Sequence, residues 1–188
     1  MDFSPDHIRD AKESLRKGRV LLYPTDTIWG IGCDAQNSDA IDKVYRIKKR
    51  NDSKALICLV ADQTMLEELV GEVHPKLLPY LNKNRPTTII YPKVKNVSKR
   101  LLAEDGSIGI RVTKDSFCSS LIKSFGGPIV STSANISGSE SPSSFQEISH
   151  QILEAIDDIV PLRQNEKQNQ ASMILRLNRL LEIEILRP

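Results

Sequence analysis

Short apolar runs alternate with amphipathic stretches along nearly the whole chain, and this alternation restricts the fold more than any other feature. Val20-Leu21-Leu22-Tyr23 is an apolar run ended by Pro24, and residues 56–60 form another. Further runs lie at 87–91, 108–112 and 128–131. Each has the length of a buried strand. Helix signals lie between them. Ser4-Pro5 offers a cap and an N1 proline for a helix that Gly18 closes. Ser38 can cap a helix whose apolar face is Ala40, Ile41, Val44, Tyr45 and Ile47. Thr64 with Glu67 and Ser144 with Glu147 read as capping boxes, the second opening a helix to about Ile156. A helix is also expected at 115–125. Strand-like runs at 158–161, 172–177 and 181–186 finish the chain, with polar 164–170 as a loop. Elements in this order predict an α/β domain, one mixed sheet flanked by helices. No repeat or linker interrupts it, so residues 1–188 are expected to form a single domain.

Composition excludes several function classes. A hydrophobic share of 39% with 27% charged residues is that of a globular protein. The net charge of +2 is too small for a generic polyanion binder, so a nucleic-acid role would need a local patch. Cys33, Cys58 and Cys118 are odd in number and far apart, which predicts buried reduced thiols and a reducing cytoplasm. His7, His74 and His150 are dispersed and lack metal-ligand spacing. No P-loop, GxGxxG or GxSxG pattern occurs, which argues against a P-loop enzyme or a serine hydrolase. No apolar run approaches the ~18 residues of a membrane span, and MDFSPDHIRD lacks a signal-peptide core. The expectation is a cytoplasmic protein without a membrane partner.

Two segments carry chemistry. The run at 128–131 leads into Ser131-Thr132-Ser133-Ala134-Asn135-Ile136-Ser137-Gly138, a loop dense with hydroxyls and ending in small residues. Such a loop brings backbone N–H groups, hydroxyls and an amide toward one point, which suits phosphate oxygens. The stretch from Ser131 to Ser144 could also be a flexible linker, but it joins a strand to a capped helix, a common place for ligands in α/β sheets. The second segment, Lys48-Lys49-Arg50 followed by Lys54, supplies positive charge for a polyphosphate. Taken alone, such a run is more often a solvated helix end. Thr25-Asp26-Thr27 after Pro24 is ordinary loop chemistry on its own.

Taken together, these motifs resemble the YrdC family of threonylcarbamoyl-AMP synthases. YPTDTIWGIG from Tyr23 is similar to that family's YPT(E/D)TxYGLG, and KKRNDSKAL from Lys48 to its KxRPxxKPL. Arg85-Pro86-Thr87-Thr88-Ile89-Ile90, Ser107-Ile108-Gly109-Ile110-Arg111 and the final Ile185-Leu186-Arg187-Pro188 match three further segments in the same order. The resemblance implies a twisted mixed sheet with a large concave basic or polar cleft. It also implies synthesis of threonylcarbamoyl-AMP and pyrophosphate from L-threonine, bicarbonate and ATP. Lys48 and Arg50 would be catalytic and, with Lys54, Ser107, Ser133, Asn135, Ser143 and Arg187, would bind ATP. Thr25, Thr27, Arg111, Ser133 and Ser172 would bind threonine, Arg111 holding its carboxylate. Mg2+ would arrive on the ATP phosphates, with no metal ligand from the protein. The product would pass to a separate tRNA-modifying transferase for N6-threonylcarbamoyladenosine at position 37. The alternative is a double-stranded RNA or tRNA binder of the same fold without synthase activity. A carbamoyl-transfer module is a further option, though the zinc-finger and acylphosphatase partners of such modules are absent from this sequence. Departures include Asn51 and Ala55 for prolines, Arg85 for a glycine, Leu59 for an occasional histidine, Trp29 for a tyrosine, and Met173 for a threonine.

Overall fold

A computed structural model describes residues 3–49, 56–82, 85–167 and 171–188. In chain order its helices and strands are α1 (Pro5–Arg16), β1 (Leu21–Tyr23), β2 (Gly30–Gly32), α2 (Ser38–Lys48), β3 (Ile57–Val60), α3 (Gln63–Val70), α4 (Leu78–Asn82), β4 (Thr87–Tyr91), β5 (Ile108–Val112), α5 (Ser116–Phe125), β6 (Ile129–Ser133), α6 (His150–Ala155), β7 (Asp158–Ile159), β8 (Met173–Leu177) and β9 (Ile183–Arg187). The strands form one mixed sheet in the order β7-β1-β2-β6-β3-β5-β4-β8-β9. Parallel contacts (β1–β7, β3–β5, β4–β8) are interleaved with antiparallel ones, and most neighbours in the sheet are not consecutive in sequence.

Side chains alternate between the two faces of a strand, and here the faces have different fates. One carries Leu22, Ile31, Cys58, Val60, Ile110, Val130 and Leu175. It is sealed by α2, α3 and α6 through Ile41, Val44, Leu66, Leu69 and Ile152. The other carries Leu21, Tyr23, Leu59 and Ile129, covered by α1 and α5 through Ala11, Leu15, Phe117, Cys118, Leu121 and Ile122. That second cover is partial. Farther along β6 the same face presents Ser131 and Ser133 instead of apolar residues, and Arg111 on β5 and Thr88 on β4 share it. Among the described residues no helix covers the sheet here, and the candidate site lies on it.

Several boundaries differ from the sequence reading. β2 was not anticipated, because Gly30-Ile31-Gly32 is too short and glycine-rich to read as a strand. Gly32 is required by packing: a Cβ there would lie 2.1 Å from the Val130 carbonyl oxygen and 2.8 Å from the Tyr23 ring. Asn37, not Ser38, caps α2, accepting the Ala40 N–H at 3.0 Å, and Asp62 rather than Thr64 caps α3. The Glu147 carboxylate accepts the backbone N–H of Ser143, not of Ser144, at 2.8 Å. That contact closes a short 3-10 turn, and α6 starts only at His150. In each case several capping residues stand together, and the tertiary path of the entering chain selects among them.

Candidate active site

The bare part of the sheet holds a cavity of about 230 Å3, lined by Thr27–Gly30, Leu56, Ile57, Thr88, Arg111, Ser131–Ser133, Ser141, Ala171, Ser172, Ile174 and Arg187. Among the described residues its polar lining is hydroxyl and guanidinium, with no carboxylate. Five predicted residues meet here: Thr27, Arg111, Ser133, Ser172 and Arg187. They come from five separate segments of the chain. Thr88, Ser131 and Trp29 join them unpredicted. Thr88 could have been found from β4 by alternation, since it lies on the same face as Arg111.

Arg111 is the more deeply buried of the two arginines in the cavity, with 3% of its side chain exposed. Its Nη1 donates to Thr27 Oγ1 at 3.2 Å, and its Nη2 lies 3.4 Å from Asp26 Oδ1. That second contact is an ion pair without hydrogen-bond geometry, because Asp26 Oδ1 has no hydrogen-bond partner. Arg111 Nε and Trp29 Nε1 are likewise buried and unpaired. Orphaned buried donors are rare and costly. Beside an open cavity the Arg111 donor marks where a ligand would supply an acceptor, whereas the Trp29 ring lies in the core against Phe145.

A relay of polar groups lines the same cavity. Arg187 Nε donates to the Ser172 carbonyl at 2.9 Å, and its Nη2 to Ser172 Oγ at 3.2 Å. Ser172 Oγ in turn meets Thr88 Oγ1 at 2.9 Å. Arg187 is therefore tied down and is not a frayed terminus. Partial desolvation of its guanidinium, reinforced by the like charge of Arg111, lowers its pKa, although the residue as a whole remains exposed. Two guanidiniums facing one cavity favour an anion between them.

Other predicted residues take different places. Thr25 does not line the cavity. Its hydroxyl donates to the Ile28 carbonyl at 2.8 Å, accepts the Thr27 N–H and meets Thr27 Oγ1 at 2.9 Å, so it shapes the loop that presents Thr27. Lys48 is not a charge projecting from a solvated helix end. It is 1% exposed, and its ammonium donates to the carbonyls of Ser133 and Asn135, holding the hydroxyl-rich loop to α2. Asn135 turns its amide inward, donating to Ile136 O at 3.1 Å and Ser139 O at 2.6 Å. The Ser143 hydroxyl is spent on Glu147 at 2.9 Å and lies outside the cavity. Hydrogen bonds from Ser143 hold the Glu147 carboxylate below its ordinary pKa. Ser107 lines a second cavity with Ile90, Asp105 and Arg176. That cavity adjoins the first along β4 and β8, where Thr88 and Ile90, and Ile174 and Arg176, follow each other on one face. Arg50 and Lys54 lie outside the described residues. Leu59 is fully buried under α5, as a core residue.

The loop carrying Thr27 is braced from behind. Arg163 Nη1 pairs with Asp115 at 2.6 Å, and its Nη2 reaches the Pro24 carbonyl at 3.4 Å. Cys118 Sγ also donates to that carbonyl. Among the described residues no three His, Cys, Asp or Glu side chains gather as a metal site, and no helix is long and apolar enough to cross a membrane.

A mixed sheet with one face partly bare, cupping hydroxyls and two arginines, is the architecture of a defined group of proteins. The Sua5/YciO/YrdC family model, described as "Telomere recombination", matches residues 13–188, and the chain belongs to that family. The threonylcarbamoyl-AMP synthase of Methylococcus capsulatus is 38% identical over 133 residues, covering 70% of this chain and 72% of the relative. P. abyssi Sua5 complexed with L-threonine superposes with a TM-score of 0.82 at 26% identity, over 96% of this chain. This chain spans only 53% of that one. E. coli YciO gives a TM-score of 0.82 at 26% identity, covering 98% of this chain and 89% of its own.

Proposed function

We propose that the chain is a threonylcarbamoyl-AMP synthase, a nucleotidyltransferase that converts L-threonine, bicarbonate and MgATP into threonylcarbamoyl-AMP and pyrophosphate. The observation that carries this reading is the buried Arg111, with an unpaired Nε, lining a hydroxyl-rich cavity together with Arg187. The similarity to a synthase and to a Sua5 crystallised with L-threonine supports it.

The chemistry needs position and charge more than a protein nucleophile. Arg111 takes the threonine carboxylate in a charge-assisted pair, and Thr27 offers its hydroxyl to the same substrate. The threonine amine captures carbon dioxide from bicarbonate, with loss of water, to give a carbamate. A carbamate oxygen then attacks the α-phosphorus in line, the bond to the bridging oxygen breaks, and pyrophosphate leaves. Holding the two substrates together removes much of the entropic barrier. Arg187, Arg50 and Lys54 offset the charge on the phosphates, while Lys48 and Asn135 keep the 131–138 loop in shape around them. A cavity of hydroxyls and guanidiniums does not suit a protein-held divalent cation, so Mg2+ enters as part of the nucleotide substrate. Residues 1–188 act as one catalytic domain, in a reducing cytoplasm consistent with three buried free thiols. The adenylate would serve a downstream tRNA-modifying transferase.

Incubation with threonine, labelled bicarbonate and ATP tests the reading directly. Pyrophosphate and a labelled adenylate should form together, and each should require all three substrates. Their absence from folded protein would reject it.

A further inference from the structure

Asp26 has no part in the reaction as described so far, and it does not line the cavity. Its position is nonetheless unusual. The carboxylate is largely buried, with 13% of its side chain exposed, and Oδ1 lies 3.4 Å from Arg111 Nη2 without forming a hydrogen bond. Oδ2 accepts the Lys114 N–H at 3.3 Å, a long contact from the turn between β5 and α5. Two residues back, the Pro24 carbonyl is gripped by Arg163 and Cys118. The loop is thus anchored beside α5 and holds a negative charge against a buried guanidinium.

Stability alone is a poor reason for this arrangement. A buried ion pair seldom repays its desolvation, least of all with neither partner fully hydrogen-bonded. Its usual value is in fixing geometry. Thr27 Oγ1 holds one terminal nitrogen of Arg111, and a single such contact leaves the planar group free to pivot. A second contact, on the other terminal nitrogen, fixes the plane.

We propose that Asp26 is a positioning residue, which locks the Arg111 guanidinium in the orientation that receives the carboxylate of the amino-acid substrate. The proposal rests on the functional reading above. It predicts a defect confined to one substrate: Asp26 touches the arginine of the amino-acid end and lies outside the 131–138 loop that would hold the nucleotide.

The test is calorimetric binding of L-threonine and of ATP to wild type, Asp26→Asn, Arg111→Lys and the double variant, with thermal melts of each. Asp26→Asn keeps the shape and an acceptor for Lys114 but removes the charge. It should weaken threonine about tenfold or more and leave ATP within about twofold. In the Arg111→Lys background the same change should add less than about twofold, because the group being oriented is gone. Threonine binding by Asp26→Asn within about twofold of wild type would overturn the proposal alone. So would an undiminished loss in the Arg111→Lys background, or parallel losses for threonine and ATP. Wild type that binds no threonine would overturn the functional reading and this proposal with it. Should Asp26→Asn fail to fold, Asp26→Ser is read the same way, and failure of both assigns Asp26 a structural role instead.

Discussion

Lys48 and Arg50 belong to one motif, yet they should fail in different ways when replaced. Lys48→Met keeps the volume of a buried side chain but strands the carbonyls of Ser133 and Asn135. Unsatisfied buried acceptors cost about 1–3 kcal/mol, so this variant should melt earlier and also lose activity, as the loop loosens. Arg50→Ala removes a charge from a position read as ligand-facing. Its melting temperature should stay at the wild-type value while kcat/KM for pyrophosphate release falls by about 2–4 kcal/mol equivalent. Melts and pyrophosphate assays on both proteins check this. An unchanged melt for Lys48→Met would contradict its clamping role, and near-normal turnover by Arg50→Ala would contradict the KxR assignment. The sequence showed which side chains carry the right chemistry. It could not show that a lysine two residues from Arg50 points into the protein, because the carbonyls that receive it lie more than eighty positions away.

The least conspicuous elements in the sequence are among the most constrained in the fold. β2 is three residues long and two of them are glycine, yet it joins β1 to β6 and thereby brings the 24–27 loop beside the 131–138 loop. Gly32→Ala would push a methyl into the Val130 carbonyl and the Tyr23 ring, neither of which can yield cheaply. A loss of at least about 1–3 kcal/mol is expected, with the hairpin register disturbed. Denaturant melts should show a lowered midpoint, and a wild-type midpoint would mean that the strands can move apart. The long apolar runs behaved as read, because a strand of four or five buried residues advertises itself locally. β2, α4 and the choice of caps did not, since close backbone approach and competition among neighbouring Asn, Asp and Ser residues are settled by what packs against them.

As a whole molecule, the domain should respond to its ligands and to pH in ways that separate the competing readings. ATP with threonine should raise the melting temperature, since both bind only the folded state. RNA should bind weakly and release steeply with salt, as phosphate contacts do. Tight, salt-resistant RNA binding with no shift from ATP plus threonine would favour the RNA-binding alternative. The thiols give an independent check. Burial raises the pKa of Cys33 and Cys118 and pushes Cys58 up to about 12. The unfolded chain ionises its thiols near ~8.5, so stability is full below that pH and declines as pH rises toward the folded values. Melting temperatures from pH 7 to 10 should fall, and alkylation should proceed no faster than unfolding. Fast alkylation of native protein would contradict the buried placement. The sequence on its own established the α/β class, most of the long strands and helices, and the inventory of hydroxyls, arginines and lysines, because periodicity and residue chemistry are local properties. It did not establish that helices cover one face of the sheet fully and the other only in part. Nor did it separate Thr27, Ser133 and Arg187, which meet in the cavity, from Thr25, Asn135 and Ser143, which turn their polar groups back into the chain. Burial and hydrogen-bond partnership depend on which distant segments the strands bring together, and that order is a property of the folded chain.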